Sequence, residues 1–259
     1  MKQVWLGNEH YFCSMKSALT GLLLLFNFAA LSQTCIIIYV SNKGIIAGAD
    51  RKYHQTLTKT DPITGKQQKS LHVFYGKKIF TGKNGYWALS GADYYDTIHT
   101  ICKEVCGVSG SLQKIVNRFQ KRLQNKTVKK AMHELFLISN EEQKKRFKGN
   151  LTEAAFFKFD GNAYKSYRIT ISMPGIFKND ETLHFETDSI VATKKTFDIF
   201  VLGHYDAFNH YSAKEKWEHP AATIRKLIKQ QSEYTPVDVS PGSDIIQITK
   251  TGFSWVPHY

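Results

Sequence analysis

The sequence predicts a four-layer α/β/β/α sandwich, in which two mainly antiparallel sheets pack face to face between outer helices. Short β-branched apolar runs bounded by turn residues indicate strands, and apolar residues at helical spacing indicate paired helices. Their order is strands, two helices, strands, two helices and a closing strand hairpin. Because no Pro- or Gly-rich linker or internal repeat divides the 259 residues, we expect a single domain over residues 34–259.

The first elements are two predicted hairpins separated by a loop. Residues 35–40 (CIIIYV) and 45–49 (IIAGA) are predicted strands, and the intervening SNKG favours a tight turn. The polar residues 53–71 contain the turn dipeptides DP and TG, so we expect a loop there. Residues 73–81 and 86–89 predict the second hairpin.

The remaining elements continue the alternation. Leu112, Ile115 and Val116 begin a run at helical spacing, and Pro220 suits the first turn of a later helix. The predicted helices are 94–105, 112–132, 207–216 and 220–231, and the predicted strands are 134–138, 154–159, 163–171, 198–202, 244–249 and 253–256.

Charge and cysteine content exclude several classes of protein. The formal net charge is +13, but the lysines are scattered, which indicates a soluble basic surface and no nucleic-acid partner. Four cysteines are too few for a disulfide scaffold. Cys102 and Cys106 lie four residues apart on a predicted helix, and we interpret them as buried or free thiols. We expect neither a metal ion nor a cofactor.

Residues 15–33, MKSALTGLLLLFNFAALSQ, have the features of a secretory signal peptide. Lys16 precedes an apolar core, and Ala30 and Ser32 suit the −3 and −1 positions of a cleavage site. We therefore expect residues 1–33 to be a leader, with Met15 as an alternative start, and the mature chain to be periplasmic or secreted. An uncleaved membrane anchor and a buried first helix are the alternatives.

The exposure of Thr34 depends on where the leader is cut. A cut after Ser32 leaves Gln33 in front of Thr34, so a second cut is needed, for which Thr34 itself is a candidate catalyst. A single cut after Gln33 would expose Thr34 directly, although Gln is a poor −1 residue.

Residues 34–51, TCIIIYVSNKGIIAGADR, resemble the opening of proteasome β-type subunits, which are N-terminal nucleophile hydrolases. Gly44 and Asp50 lie ten and sixteen residues after Thr34, as in that family. The stretches GKKIF, LSGAD and DIIQITKTGFSWV also resemble family segments. The order of elements agrees over nearly all of the chain after the leader, so the resemblance implies the same four-layer fold.

The resemblance also implies roles for particular residues. Thr34 would be the nucleophile, Lys78 and Asp50 would assist it, and the Gly91 N–H would help to form the oxyanion hole. Asp238 and Ser240 would support the N-terminus, although their DVSPG segment is one residue short of the family pattern. The family's Gly-Ser-Gly turn is replaced by GHY at residues 203–205. We interpret His204 as an ordinary turn histidine, and a replacement for the missing serine is the alternative.

These residue types suit acyl transfer. A threonine hydroxyl attacks only when a base takes its proton, and a free α-amino group, with an ordinary pKa of about 7.7–8.0, can do so. The Lys78 ammonium would lower the pKa of the threonine and of this amine, and Asp50 would keep the lysine charged and oriented. With Gln33 attached, the nitrogen of Thr34 is an amide, so processing is part of the mechanism.

The sequence therefore predicts a threonine-type hydrolase that cleaves peptide bonds through an acyl-enzyme on Thr34. Two alternatives are a small-amide amidohydrolase and an inactive relative that serves in assembly or binding. The resemblance implies a homo-oligomer, ring-like as in the family. The structural alternatives are that Thr34 merely follows the cleavage site, that Asp50 pairs with Arg51, and that Lys78 is a surface lysine.

Overall fold

Two antiparallel sheets contain the thirteen strands of the described chain in this computed structural model. The structure describes residues 27–32, 34–60, 67–92, 97–126, 128–130, 150–175, 180, 182–192 and 197–257. Within these ranges, no helix has the length and apolar character needed to span a membrane.

The larger sheet has eight strands. They are β1 (Asn27–Ser32), β4 (Lys52–Thr60), β5 (Gln67–Tyr75), β6 (Ile79–Gly82), β7 (Gly85–Ala92), β8 (Asn150–Asp160), β9 (Ala163–Ser172) and β10 (His184–Val191). Their order is β10-β9-β8-β7-β1-β4-β5, and β6 pairs with the first half of β7. The leader-side strand β1 therefore lies inside this sheet.

The smaller sheet has five strands in the order β11-β2-β3-β12-β13. They are β2 (Cys35–Ser41), β3 (Gly44–Asp50), β11 (Asp198–Gly203), β12 (Ser243–Thr249) and β13 (Gly252–Trp255). Two predicted hairpins are confirmed in this sheet. The first pairs β2 with β3, and the last in the chain pairs β12 with β13.

The two faces of β2 explain why its sequence is apolar throughout. Alternate side chains of a strand point to opposite faces. Ile36 and Ile38 pack toward the larger sheet with Ala155 and Phe157, in the core between the two sheets. The next residues along, Cys35, Ile37 and Tyr39, pack against a helix on the outer face.

Helices cover both outer faces, which confirms the predicted sandwich. The helices are α1 (Thr97–Gly107), α2 (Leu112–Leu123), α3 (Asp206–Tyr211) and α4 (Pro220–Tyr234), and a 3-10 turn follows α3 at Ser212–Lys214. Helices α1 and α2 pack on the larger sheet, and α4 packs on the smaller one. Ser111 caps α2 by accepting the Lys114 N–H, and Pro220 occupies the first turn of α4 as predicted.

Several sequence predictions need correction. The loop predicted at residues 53–71 is a hairpin, because β4 and β5 pair over nine residues each. The strand predicted at residues 73–81 is interrupted at residues 76–78, and β10 was not predicted. These strands are polar and lie at or near sheet edges, where the hydrophobic alternation that marks a strand is weak. The strand predicted at 134–138 lies outside the described residues.

Part of the predicted leader has a defined place in the fold. Residues 27–32 form β1, whereas residues 1–26 and 33 lie outside the described ranges. Residues 27–31 pair with β4, and Leu31 and Ser32 pair with the end of β7. Residues 27–32 are thus a strand within the sheet, and neither a helix nor a separate tail.

We predict that Gly48→Ala destabilises the protein by about 1–3 kcal/mol through overpacking. A Cβ atom at Gly48 would lie 2.4 Å from Cγ2 of Ile224 and 3.3 Å from Cγ1 of Ile245, so β3 can approach α4 only without a side chain there. Urea unfolding monitored by circular dichroism measures the change.

Gly107→Ala is the matched control, because nothing lies within 4 Å of a Cβ atom at that position. It lies at the end of α1, where alanine is the better helix former, so stability should stay equal or rise slightly. Equal unfolding midpoints for Gly48→Ala and the wild type would contradict the packing of α4 on β3.

Candidate active site

Thr34 lies immediately before β2, and its side chain is fully buried. Its carbonyl oxygen accepts the backbone N–H of His204 at 2.7 Å. Gly203 makes this approach possible, since a Cβ atom there would lie 2.0 Å from that carbonyl oxygen. Gly203 also has φ +78°, a conformation that favours glycine. The turn after β11 therefore holds the backbone of Thr34.

Asp50 ends β3 and faces the start of β2. The antiparallel register pairs Ile36 with Ala49, which places Asp50 beside Thr34. Its Oδ1 accepts the Cys35 N–H at 2.9 Å and the hydroxyl of Thr34, and its Oδ2 accepts the Lys52 N–H at 2.9 Å. Backbone donors from two strands thus fix the orientation of this buried carboxylate.

Lys78 completes the group from the connection between β5 and β6. Its Nζ lies 2.6 Å from Oγ1 of Thr34, and 3.0 and 3.1 Å from the two carboxylate oxygens of Asp50. The lysine side chain is 1% exposed and the aspartate side chain is fully buried. Removing one partner of such a buried pair typically costs about 3–5 kcal/mol, because a charge is left without compensation.

Burial sets the proton affinity of Lys78. Desolvation lowers its pKa from the ordinary 10.5 to about 8, and the Asp50 carboxylate limits the fall by favouring the charged form. In its charged form, Lys78 donates a hydrogen bond to Oγ1 of Thr34 at 2.6 Å, and the Thr34 hydroxyl in turn donates to Asp50.

Ser240 supports the carboxylate from the loop before β12. Its backbone N–H points to Oδ2 of Asp50 at 3.4 Å, and its hydroxyl accepts the N–H of Arg51 at 3.1 Å. Asp238 lies near His204, with its carboxylate 3.5 Å from Nε2 of that histidine. The structure therefore brings the DVSPG segment and the GHY turn together beside Thr34 and Asp50.

Gly91 lies near the end of β7, where it pairs with Thr152 of β8 and Ser32 of β1. Its φ is +102°, and a Cβ atom there would lie 2.8 Å from the Thr152 Cα atom, so the position requires glycine. The part that its N–H would play in an oxyanion hole stays a prediction.

Two groups beside the site were not among the predicted site residues. Glu153 accepts the Gly203 N–H at 2.7 Å, and burial raises the pKa of its carboxyl group. An acidic residue within the apolar run of β8 was the available sequence signal. Burial also raises the pKa of the Cys35 thiol, which keeps that thiol protonated and unreactive.

The described residues contain no group of three or more His, Cys, Asp or Glu side chains arranged to hold a metal ion. The chemistry available at this site, within the described part of the chain, is that of a hydroxyl, an amine and a carboxylate.

Comparisons with known proteins add a similarity to solved structures. No family model matches the chain, and no curated protein matches it. Among solved structures, it is similar to the Anbu (Gly-1) mutant from Hyphomicrobium sp. strain MC1, with a TM-score of 0.48 and 12% sequence identity. The alignment covers 86% of this chain and 85% of that chain. The candidate active site therefore rests on the geometry of this chain.

Proposed function

We propose that this chain is the precursor of an N-terminal-threonine hydrolase, which frees its own Thr34 and then cleaves peptide bonds. The observation that carries the proposal is the 2.6 Å contact between Nζ of Lys78 and Oγ1 of Thr34 inside a buried ion pair with Asp50. A hydroxyl, a base and a group that orients the base are the parts that nucleophilic catalysis requires. Burial excludes water, which strengthens the electrostatic interactions among them.

Leader release needs a base other than the nitrogen of Thr34, because that nitrogen is an amide in the precursor. Neutral Lys78 takes the proton of the Thr34 hydroxyl, and Oγ1 attacks the carbonyl carbon of Gln33. The new carbon–oxygen bond forms, the carbon–nitrogen bond breaks, and the nitrogen takes the proton from Lys78. Water then hydrolyses the ester on Oγ1 and releases the leader as a carboxylic acid.

The mature enzyme has a second base, the freed α-amino group of Thr34, with an ordinary pKa of about 7.7–8.0. Oγ1 attacks a substrate carbonyl, the amide nitrogen leaves with a proton, and water hydrolyses the acyl-enzyme. In this proposal the Gly91 N–H binds the oxyanion, and Asp238 and Ser240 support the site through His204 and Asp50. Peptides are favoured over small amides as substrates, because a peptide in the place of β1 could pair with the backbone of β4 and β7.

The place of action and the assembly are also proposals. Export rests on the signal-peptide pattern of residues 15–33, and a ring-like homo-oligomer rests on the resemblance of the sequence to proteasome β-type subunits. Intact mass of the protein from culture medium, periplasm and cytoplasm tests the first, and its mass in solution by light scattering tests the second.

We predict that Thr34→Ala retains the leader and loses hydrolysis of peptide substrates, because the attacking oxygen is removed. Thr34→Ser keeps a hydroxyl and should retain both activities at a reduced rate. Intact mass spectrometry of the purified chain reports leader release, and fluorogenic peptides report hydrolysis.

Thr251→Ala is the control for these variants, since Thr251 is an exposed residue of the turn between β12 and β13. It should process like the wild type. Removal of the leader from Thr34→Ala at the same bond would show that another protease performs the cut. Full peptide hydrolysis by Thr34→Ala would overturn the proposed function.

We predict that leader release accelerates with pH and reaches half of its maximal rate near pH 8, where Lys78 loses its proton. The rate should rise about tenfold between pH 6 and pH 7 and level off above the pKa. Precursor purified at pH 6 and transferred to buffers of higher pH gives the profile.

Lys78→Arg should slow release by about 10²–10⁴-fold, because a guanidinium keeps its proton.

Lys77→Arg is the matched control, because Lys77 is exposed and adjacent in sequence. The folded pKa of Lys78 lies below its ordinary 10.5, so the unfolded chain binds more protons between about pH 8 and 10.5. This group therefore adds stability as the pH rises through that window, in which the release rate has already levelled off. A flat profile from pH 6 to 9 would exclude Lys78 as the base.

A further inference from the structure

An open pocket of about 260 Å³ lies between β6, β7, α1 and β13, outside the group formed by Thr34, Asp50 and Lys78. Two of its lining residues, Lys77 and Ile79, flank Lys78 in the chain. The volume lies just below the range of about 300–1,000 Å³ that accommodates drug-sized ligands. An occupant of this pocket would therefore be a small molecule.

Aromatic rings form part of the pocket lining. The rings of Phe80 and Trp87 stack with their centroids 5.6 Å apart, and His99 of α1 meets Phe80 edge-on at 4.4 Å. Trp255 of β13 also belongs to the lining, and Nζ of Lys77 lies 4.4 Å from the centroid of its ring. Aromatic side chains favour stacked and edge-on contacts with other rings, so this lining suits a flat apolar ligand.

The charge of the pocket is positive. The exposed lysines Lys77 and Lys103 both belong to its lining, and no Asp or Glu does so among the described residues. Thr81 adds a hydroxyl group. Ammonium groups form charge-assisted hydrogen bonds with carboxylates, so the pocket favours a negatively charged ligand.

Trp87 contributes an unused hydrogen-bond donor. Its Nε1 is buried and has no hydrogen-bond partner in the described part of the chain. The opposite edge of the indole faces the turn between β6 and β7, since a Cβ atom at Gly82 would lie 3.1 Å from Cζ3 of Trp87. The Nε1 edge is therefore turned away from that turn. A buried donor without an acceptor is unfavourable, and a ligand oxygen that reached it would remove this cost.

We propose that this pocket binds a small aromatic carboxylate. The ring of the ligand packs against Phe80, Trp87 and Trp255, and the carboxylate lies between Lys77 and Lys103. Its two oxygens have several acceptor positions, so they can accept the Trp87 N–H as well as a lysine. An inorganic anion would leave the aromatic rings without a contact, and a neutral ring would leave the two lysines without a counter-charge.

The first experiment compares three probes by isothermal titration calorimetry with the purified wild-type chain. They are benzoate, benzamide, which has the ring without the charge, and acetate, which has the charge without the ring. Benzoate should bind at one saturable site, and the other two should bind at least about tenfold more weakly. Benzamide or acetate binding as tightly as benzoate, or no binding of benzoate, would overturn the proposal.

The second experiment removes the two lysines. Lys77→Gln combined with Lys103→Gln should weaken benzoate binding by about tenfold or more, because the carboxylate loses both charged donors. Lys114→Gln combined with Lys121→Gln is the matched control, since it removes two exposed lysines of α2 outside the pocket lining and gives the same net charge. Equal affinities of the two double variants for benzoate would show that the pocket lysines do not hold the carboxylate and would overturn the proposal.

NMR of the indole N–H groups locates the ligand. Benzoate should shift the signals of Trp87 and Trp255 and leave that of Trp217, which stacks on Tyr39 outside the pocket lining. The variants Trp5→Phe, Trp217→Phe and Trp255→Phe identify three of the four indole signals, so the Trp87 signal follows by elimination.

A saturable downfield shift of the Trp87 signal is the expected result, because its N–H gains an acceptor. An unchanged Trp87 signal at saturating benzoate would overturn the proposal. Binding at this pocket requires no cleavage of any peptide, so these results and a test of the proposed hydrolase can fail separately.

Discussion

The buried ion pair between Lys78 and Asp50 is the constraint on which the rest of the site depends. Two charges without solvent remain stable only when partners surround them, and here the partners are the Thr34 hydroxyl and backbone N–H groups from both sides of Asp50. The same burial that threatens stability lowers the pKa of Lys78 toward the range where an amine can act as a base. Stability and chemistry therefore depend on one set of contacts.

The sandwich supplies these partners from distant parts of the chain. The β2–β3 hairpin brings Asp50 beside Thr34, the connection between β5 and β6 delivers Lys78, and the loop before β12 delivers Ser240. The outer helix α4 packs against the other face of β2 and β3. The fold places one side chain from each segment at a common point, although the segments are far apart in sequence.

The larger sheet depends on β1, which lies between β7 and β4. The strand β1 joins β4 to β7, and it ends two residues before the buried Thr34. If Thr34 cuts the chain, the precursor removes a strand from its own larger sheet, and the proposed mature enzyme has an unpaired backbone edge. An unpaired edge of this kind is unfavourable when it stays empty.

The sequence by itself determined the layer order, the β2–β3 hairpin and the spacing of Thr34, Asp50 and Lys78, because apolar periodicity and turn residues are local properties. Only the tertiary structure decided the hairpin at β4 and β5, the placement of β1, and the contacts that His204 and Glu153 make on either side of Gly203. Polar strands show little alternation of their own, and they form because a neighbouring backbone completes their hydrogen bonds. The choice of neighbouring strand depends on the whole fold, so it cannot be read from a single segment of the chain.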